Sequence, residues 1–237
     1  MDNKSCFMKG CRDGVPIALG YFAVSFSLGI AARSAGFTAF QALLMSFFNN
    51  ASAGEFAAFT LIGAGASYLE VALMTLVTNA RYLLMSCALS QKLSPSTPIR
   101  SRMLIGFDVT DEIFGVSIAY PGKLNPLYTY GVMLLALPGW AVGTSFGVLM
   151  GNILPLRLVS ALSVALYGMF IAVFMPPARK EKVIGALVVI SMFLSWVFAT
   201  VDFFSFLSEG MRVIFLTVAI SALAALLFPV KDEEVSA

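Results

Sequence analysis

The chain has 237 residues, of which 59% are hydrophobic and 12% charged, and its mean hydropathy is +0.89. A typical soluble domain is nearer half apolar and a quarter charged, so too few charged residues remain here to coat a surface that faces water. This composition excludes a soluble monomer and a disordered chain, and a net charge of +2 is too small to indicate nucleic-acid binding. It predicts an all-α polytopic membrane protein embedded in a lipid bilayer.

The chain contains no histidine, which excludes histidine proton relays, histidine metal ligands and Ser-His or Cys-His nucleophilic sites. Its three cysteines form no Cys-x-x-Cys pair and are expected to be thiols. We therefore expect no cofactor, no metal site, no catalytic residues and no enzymatic activity.

Eight apolar runs follow one another with short connections between them. They cover residues 15–32, 40–64, 69–90, 104–119, 128–150, 158–176, 183–201 and 212–229. Most are long enough for the roughly 20 residues that a helix needs to cross a hydrocarbon core of about 30 Å. The sequence thus predicts one integral membrane domain over residues 1–237, with a cytoplasmic N-terminal segment at 1–14 and a flexible tail at 231–237.

The basic residues distinguish two topologies, because cytoplasmic loops collect Lys and Arg. If all eight runs cross from a cytoplasmic N-terminus, eight basic loop residues lie inside and six outside. If runs 40–64 and 158–176 enter and leave on one side, the count becomes eleven to three. Each half of the chain would then consist of a crossing, a re-entrant hairpin and two further crossings. Because three crossings reverse the direction of the chain, the two halves would form an inverted repeat, with six to eight membrane segments in all. The similarity of Gly20–Val24 to Gly139–Val142 agrees with such a repeat.

Run 40–64 contains a polar, helix-breaking segment, Asn49-Asn50-Ala51-Ser52-Ala53-Gly54-Glu55. Non-helical backbone at membrane depth is tolerated only where it lines a cavity or is covered by protein. Amides and carbonyls exposed at such a break can bind the charged ends of a zwitterion. The substrate site is therefore predicted at Asn49, Asn50, Ser52, Gly54 and Glu55.

Asn79 and Arg81 lie inside the next apolar run and extend the predicted substrate site. A guanidinium group at mid-membrane needs a carboxylate. Either a substrate supplies that carboxylate, or Arg81 forms an internal ion pair with Glu112 or Glu55. The sequence leaves both alternatives open.

Run 104–119 carries Asp108, Asp111 and Glu112 at i, i+3 and i+4, which places them on one face of a continuous helix. Charges inside a bilayer are costly and normally face a cavity or a partner. Because three carboxylates this close cannot all stay ionised when buried, the trio is predicted to be the proton-coupling site. It could also bind a substrate ammonium group or a cation. The alternative is that the three carboxylates are exposed to water at the cytoplasmic interface or pair with Arg100 and Arg102.

One helix carries a regular series of glycines. Gly139, Gly143, Gly147 and Gly151 recur every four residues. Such a strip presents a bare helix face on which another backbone can pack closely. It predicts helix packing, within the chain or against another subunit, rather than a ligand role.

Taken together, these segments resemble the AzlC family of bacterial branched-chain amino-acid exporters. The resemblance is carried by Phe7–Ile17 with Gly20 and Gly29, by Ala51–Phe56, by Asn79-Ala80-Arg81, by Asp111-Glu112 with Phe114, and in the second half by Tyr167–Phe170 and Pro176-Pro177. Many members carry Gln at the position of Glu55. The resemblance implies a multi-pass permease of the bacterial plasma membrane that exports leucine, isoleucine, valine and toxic analogues. It also implies a small membrane subunit of the AzlD type.

The leading hypothesis is a secondary transporter that moves small neutral amino acids outward, driven by the proton gradient. It rests on the lack of any nucleotide-binding loop and on carboxylates that could titrate within the membrane. The alternative is a passive cation or small-solute channel, since buried acids can also line a pore. An intramembrane aspartyl protease is disfavoured, because it needs two paired aspartates and no second matching motif is present.

Overall fold

The computed structural model describes residues 3–151, 153–155, 178–201 and 207–228, together with residues 157, 158, 160, 161, 164, 168, 171, 175 and 176. Ten named helices account for most of this part of the chain. They are α1 (Asn3–Ser34), α2 (Ala39–Phe48), α3 (Ser52–Gly63), α4 (Tyr68–Thr78), α5 (Ala80–Lys92), α6 (Ile99–Phe107), α7 (Asp111–Ile118), α8 (Pro126–Met150), α9 (Lys182–Thr200) and α10 (Glu209–Leu227). The predicted all-α membrane class is confirmed. Most of the run expected to be re-entrant at 158–176, including most of the family-like Tyr167–Phe170, lies outside the described residues, as does the tail at 231–237.

Four of the described helices are long and apolar enough to cross a membrane: α1, α8, α9 and α10. The helices α4 and α5 make a fifth span if they are taken together, with a bend of 48° where they meet. The first of these, α1, has 32 residues, which at 1.5 Å each is about 48 Å and longer than the hydrocarbon core. Residues 3–14, which belong to the predicted cytoplasmic N-terminal segment, are the start of this helix.

The two longest helices, α1 and α8, run parallel and in close contact along their lengths. Near the start of both, Gly10 lies against the backbone of Tyr128, and near their ends Gly29 lies against the backbone of Thr144. A Cβ placed on Gly139 would come within 2.8 Å of the carbonyl oxygen of Ala18. The predicted glycine strip on α8, with the exception of Gly151 at its end, therefore packs backbone on backbone against α1.

Helices α2 and α3 form a hairpin whose two ends lie beside the end of α1. At the start of α2, the Ser145 hydroxyl donates to the carbonyl oxygen of Ala39 over 3.1 Å. At the end of α3, a Cβ on Gly63 would come within 2.8 Å of the Cβ of Ala35. The chain thus enters and leaves on one side, as the re-entrant topology expects for run 40–64.

Helices α6 and α7 form a second hairpin, which opens in the opposite direction. Near its start, Arg102 donates to the Ser94 carbonyl oxygen over 2.7 Å, and near its end Lys92 donates to the carbonyl oxygen of Ile118. Both ends therefore lie by the end of α5, so run 104–119, expected to cross, returns to the side from which it came. Because run 104–119 returns instead of crossing, α8 runs parallel to α1. The predicted repeat, in which this run crosses, would make the two helices antiparallel.

The last two described helices, α9 and α10, pack antiparallel, with the rings of Phe198 and Phe215 stacked at 6.0 Å between centroids. The start of α10 lies against the start of α4, where the Ser208 hydroxyl donates to Glu70. Glu70 therefore lies at a helix end, in the first turn of α4, rather than deep in the structure.

The basic residues separate sharply between the two ends of the molecule. We call the end at which α1 and α8 begin the basic end. Of the basic residues that the structure describes, leaving out Arg81, three lie at the opposite end: Arg33, Arg157 and Arg212. Ten lie at the basic end: Lys4, Lys9, Arg12, Lys92, Arg100, Arg102, Lys123, Arg179, Lys180 and Lys182.

Candidate functional site

Three helix interruptions meet near the middle of the molecule. The breaks are residues 49–51 between α2 and α3, Asn79 between α4 and α5, and residues 108–110 between α6 and α7. Asn79 donates from its side-chain nitrogen to the side-chain oxygen of Asn49 over 3.2 Å. Asn50 donates to Oδ1 of Asp108, which joins the tips of the two opposed hairpins. Side-chain amides therefore connect all three breaks.

Gly54 allows the first of these bonds to form. A Cβ at this position would come within 2.9 Å of the side-chain nitrogen of Asn79. Any larger residue would therefore displace Asn79 from Asn49. Gly54 supports the site by leaving room, and it does not line the cavity.

A cavity of about 400 Å³ lies beside the breaks. This size falls within the usual range for small-molecule sites, roughly 300–1,000 Å³. Its lining combines an apolar wall from α1 with polar residues from the starts of α3, α5 and α7. The lining residues are Pro16, Ile17, Gly20, Tyr21, Val24, Asn50, Ser52, Arg81, Tyr82, Thr110, Asp111, Glu112 and Trp140.

One cationic and two anionic side chains face this cavity. Arg81 Nη2 lies 2.8 Å from Asp111 Oδ2, and the two side chains are 43% and 41% exposed. Arg81 also donates to the hydroxyl of Tyr82 over 3.2 Å. An ion pair this accessible can exchange its internal partner for a solute that carries both charges.

Tyr21 connects α1 to the start of α7. Its hydroxyl donates to Glu112 Oε2 over 2.7 Å and shares a hydrogen bond with the Thr110 hydroxyl. Thr110 is extended and caps α7 by accepting from the backbone N–H of Ile113 over 3.3 Å. The Tyr21 contacts therefore fix the direction in which α7 leaves the break.

Glu55 is fully buried and belongs to the wall behind the cavity rather than to its surface. The indole nitrogen of Trp140 donates to its Oε2 over 2.7 Å, and the Ser46 hydroxyl donates to its Oε1. Glu55 thereby links α2 and α3 to α8. Its bond holds Trp140, whose ring packs edge-on against Tyr21 with centroids 5.3 Å apart.

Asp108 ends α6 and is 1% exposed. Among the described residues, no hydrogen-bond donor reaches its Oδ2 atom. An isolated buried carboxylate is expensive. This oxygen is therefore the least satisfied polar atom of the site.

The structure divides the predicted site residues into two groups. Asn50, Ser52, Arg81, Asp111 and Glu112 line the cavity. The others lie behind the lining and hold it in place: Asn49, Gly54, Glu55, Asn79 and Asp108. The partner of Arg81 within the chain is Asp111, and neither expected alternative, Glu112 or Glu55, forms that ion pair within the part of the chain described.

One expectation about the acidic residues is wrong. Asp108, Asp111 and Glu112 do not share a face of one continuous helix, because the helix stops at Phe107 and restarts at Asp111. Arg102, considered as a partner for these acids, instead donates to the backbone at Ser90 and Ser94 near the basic end.

Sequence reasoning did not identify the aromatic residues of the cavity, Tyr21, Tyr82 and Trp140. A signal for two of them was present, because Tyr21 and Trp140 occupy the same position in the similar segments Gly20–Val24 and Gly139–Val142. These two positions meet in the fold, ring against ring.

The fold and the cavity together define a class: a polytopic membrane protein with interrupted helices around a small polar site, an arrangement common in transporters. The chain matches the family model described as AzlC protein over residues 16–154, and it belongs to the AzlC family. This matched range includes both hairpins, α8 and every residue that lines the cavity.

Relatives from bacteria and archaea agree with this assignment. An uncharacterized membrane protein of Archaeoglobus fulgidus is 30% identical over 188 residues, covering 78% of this chain and 82% of the relative. The inner membrane protein YgaZ of Escherichia coli is 28% identical over 173 residues, covering 71% and 70%. The branched-chain amino acid transport protein AzlC of Bacillus subtilis is 25% identical over 171 residues, covering 71% and 66%. No solved structure matches the chain.

Proposed function

We propose that this protein is the large subunit of a permease that exports branched-chain and other small neutral amino acids, and their toxic analogues, driven by the proton gradient. The observation that carries the proposal is the cavity at the three helix breaks, which holds Arg81 opposite Asp111 and Glu112. The name of the Bacillus subtilis relative supports the substrate class.

The cavity suits a zwitterion with an aliphatic side chain. The guanidinium of Arg81 can receive the substrate carboxylate, and Asp111 or Glu112 the ammonium group. Ser52 and Asn50, at the start of α3, add a hydroxyl and an amide beside backbone N–H groups that favour a carboxylate. Ile17, Val24 and Trp140 supply the apolar surface for a branched side chain.

The direction of insertion follows from charge. Among the described residues, ten basic side chains lie at the basic end and three at the opposite end. We therefore place the basic end, with the N-terminus, in the cytoplasm of a bacterial cell and the protein in its plasma membrane. The ten-to-three distribution favours the cytoplasmic side as strongly as the eleven-to-three count of the predicted topology does. The two topologies differ in which runs form re-entrant hairpins.

A small membrane subunit of the AzlD type completes the proposed transporter. The family resemblance is the main support for this partner. Within the described range, α9 has no buried residue, so the surface that it does not pack against α10 is available to lipid or to such a subunit.

Labelling of single cysteines tests the orientation. Ala64 ends α3 at the opposite end, and Ser96 lies between α5 and α6 at the basic end; both are exposed. In a variant whose three native cysteines are alanine, a membrane-impermeant maleimide should label Ala64→Cys in intact cells and Ser96→Cys only in inside-out vesicles. Labelling of Ser96→Cys from outside intact cells would contradict this topology.

Transport into inside-out vesicles tests the function. Vesicles that hold the chain and its small subunit should take up leucine saturably when the lumen is acidified, and a protonophore should abolish the accumulation. Cells with both proteins should resist a toxic leucine analogue. Glu112→Gln should remove uptake and resistance, because it removes one of the two carboxylates that face the cavity.

A matched replacement serves as the control for that variant. Glu70→Gln makes the same chemical change at the opposite end of the molecule, and it should leave uptake unchanged. Uptake that a protonophore leaves intact would refute proton coupling, and an ohmic cation current in place of saturable uptake would indicate the alternative channel.

A further inference from the structure

Four buried or cavity-facing carboxyl groups surround the helix breaks, and their surroundings differ. Asp111 is paired with Arg81, and Glu112 accepts from Tyr21. Both oxygens of Glu55 accept hydrogen bonds. Among the described residues, Asp108 is the one whose carboxyl group keeps a buried oxygen with no partner.

The position of Asp108 connects the two hairpins. Its other oxygen accepts from Asn50, so the bond joins the tip of the α6–α7 hairpin to the tip of the α2–α3 hairpin. Asn50 also lines the substrate cavity. A change at Asp108 is therefore transmitted to the cavity through a single side chain.

We propose that Asp108 is the proton-binding residue of the transport cycle and that its bond to Asn50 is a latch between the hairpin tips. An ionised Asp108 accepts a charge-assisted bond from Asn50, which holds the tips together. A proton on Oδ2 removes the charge and leaves an ordinary, weaker bond, so the tips can part. This inference rests on the proposed function, because it assigns the coupling proton of that transporter.

The other ionisable groups near the breaks have different roles in this scheme. Arg81, Asp111 and Glu112 face the cavity and are available to the substrate. Tyr21 and Glu55 are held in hydrogen bonds by neighbouring helices. Of the titratable groups on neighbouring elements, Tyr21 of α1 interacts electrostatically with Asp108. Glu55 of α3, Arg81 of α5, and Asp111 and Glu112 of α7 lie around the same helix breaks and are engaged by other partners.

Leucine exchange and gradient-driven leucine accumulation, measured side by side, test this proposal separately from the proposed function. Asp108→Asn keeps the shape and neutralises the side chain, as a bound proton would. In proteoliposomes that hold the chain and its small subunit, we expect this variant to retain exchange of internal for external leucine, because exchange needs no net movement of protons. Accumulation driven by a pH gradient should fall to the level of vesicles without a gradient. Asp111→Asn, which alters the cavity itself, should slow both modes.

The outcomes are distinct. Gradient-driven accumulation by Asp108→Asn would overturn the assignment of the proton to Asp108 while leaving the transporter intact. A native protein that exchanges leucine but ignores the gradient would refute the proton-driven function itself.

Hydrogen exchange of the native protein provides a second test that does not depend on the variant folding. After correction for the intrinsic pH dependence of exchange, backbone amides of residues 47–53 and 106–112 should exchange faster at low pH. In Asp108→Asn they should exchange fast at every pH. If hydrogen exchange at the hairpin tips of the native protein does not change with pH, the proposed latch is wrong.

Discussion

Replacing Arg81 with glutamine is expected to weaken leucine transport by roughly 10- to 150-fold in apparent affinity, because hydrogen bonds to charged groups contribute about 1.5–3 kcal/mol. The physical reason is the loss of the guanidinium that would receive the substrate carboxylate. The concentration of leucine that gives half-maximal uptake into inside-out vesicles measures the effect.

A double variant distinguishes this role from simple pairing within the chain. If Arg81 only neutralised Asp111, then Arg81→Gln combined with Asp111→Asn would restore transport by removing both charges. We expect no recovery. Because the pair is 43% and 41% exposed, it contributes only about 0–1 kcal/mol to stability, so both variants should melt near the native temperature. Recovery in the double variant would show that Arg81 is structural.

Adding one methyl group at Gly147 is expected to destabilise the protein by about 1–3 kcal/mol, the usual cost of overpacking a tight interface. The new Cβ would overlap the carbonyl oxygen of Phe26 and come within 2.9 Å of the Cα of Gly29. Both obstacles are backbone atoms, so no side chain can rotate away. The melting temperature of Gly147→Ala in detergent should fall by several degrees.

Gly20→Ala is the matched control for that variant. Gly20 lies on α1, but a Cβ there would meet nothing within 4 Å. The higher helix propensity of alanine should then leave the melting temperature unchanged or raise it, by up to about 1 kcal/mol of stability. Equal stability of the two alanine variants would contradict close packing of α1 on α8.

The first helix break could be predicted from its residue types, whereas the third carries only a helix-start signal, Thr110 followed by Asp111 and Glu112, and no residue that by itself stops α6. Asn49, Asn50 and Gly54 are poor helix formers inside an apolar run, so the interruption is a local property. At residues 108–110 no glycine or proline marks the break. There the helix stops because Asn50 and Tyr21, which are distant in sequence, bind Asp108 and Thr110. Such contacts have no periodic signature.

The same limit applies to the roles of the acidic residues. Composition and position identified Glu55, Asp108, Asp111 and Glu112 as the carboxyl groups worth testing. Whether each faces the cavity depends on packing. Glu55 is enclosed because Trp140 of α8 reaches it, and the sequence does not indicate that pairing. Basic residues are more informative, because their bias depends on the membrane and not on side-chain contacts.

The glycine contact between α1 and α8 also determines which parts of the molecule can move. Where backbone lies on backbone, no rotamers can rearrange, and the two helices must translate or tilt as one rigid body. The hairpin tips, by contrast, are joined to each other by the side-chain amide of Asn50, and the tip of the first hairpin is joined to Asn79 by that of Asn49. In the proposed transporter, exposing the cavity to alternate sides would therefore displace two short helical tips against a stationary frame, rather than rock one half of the protein against the other.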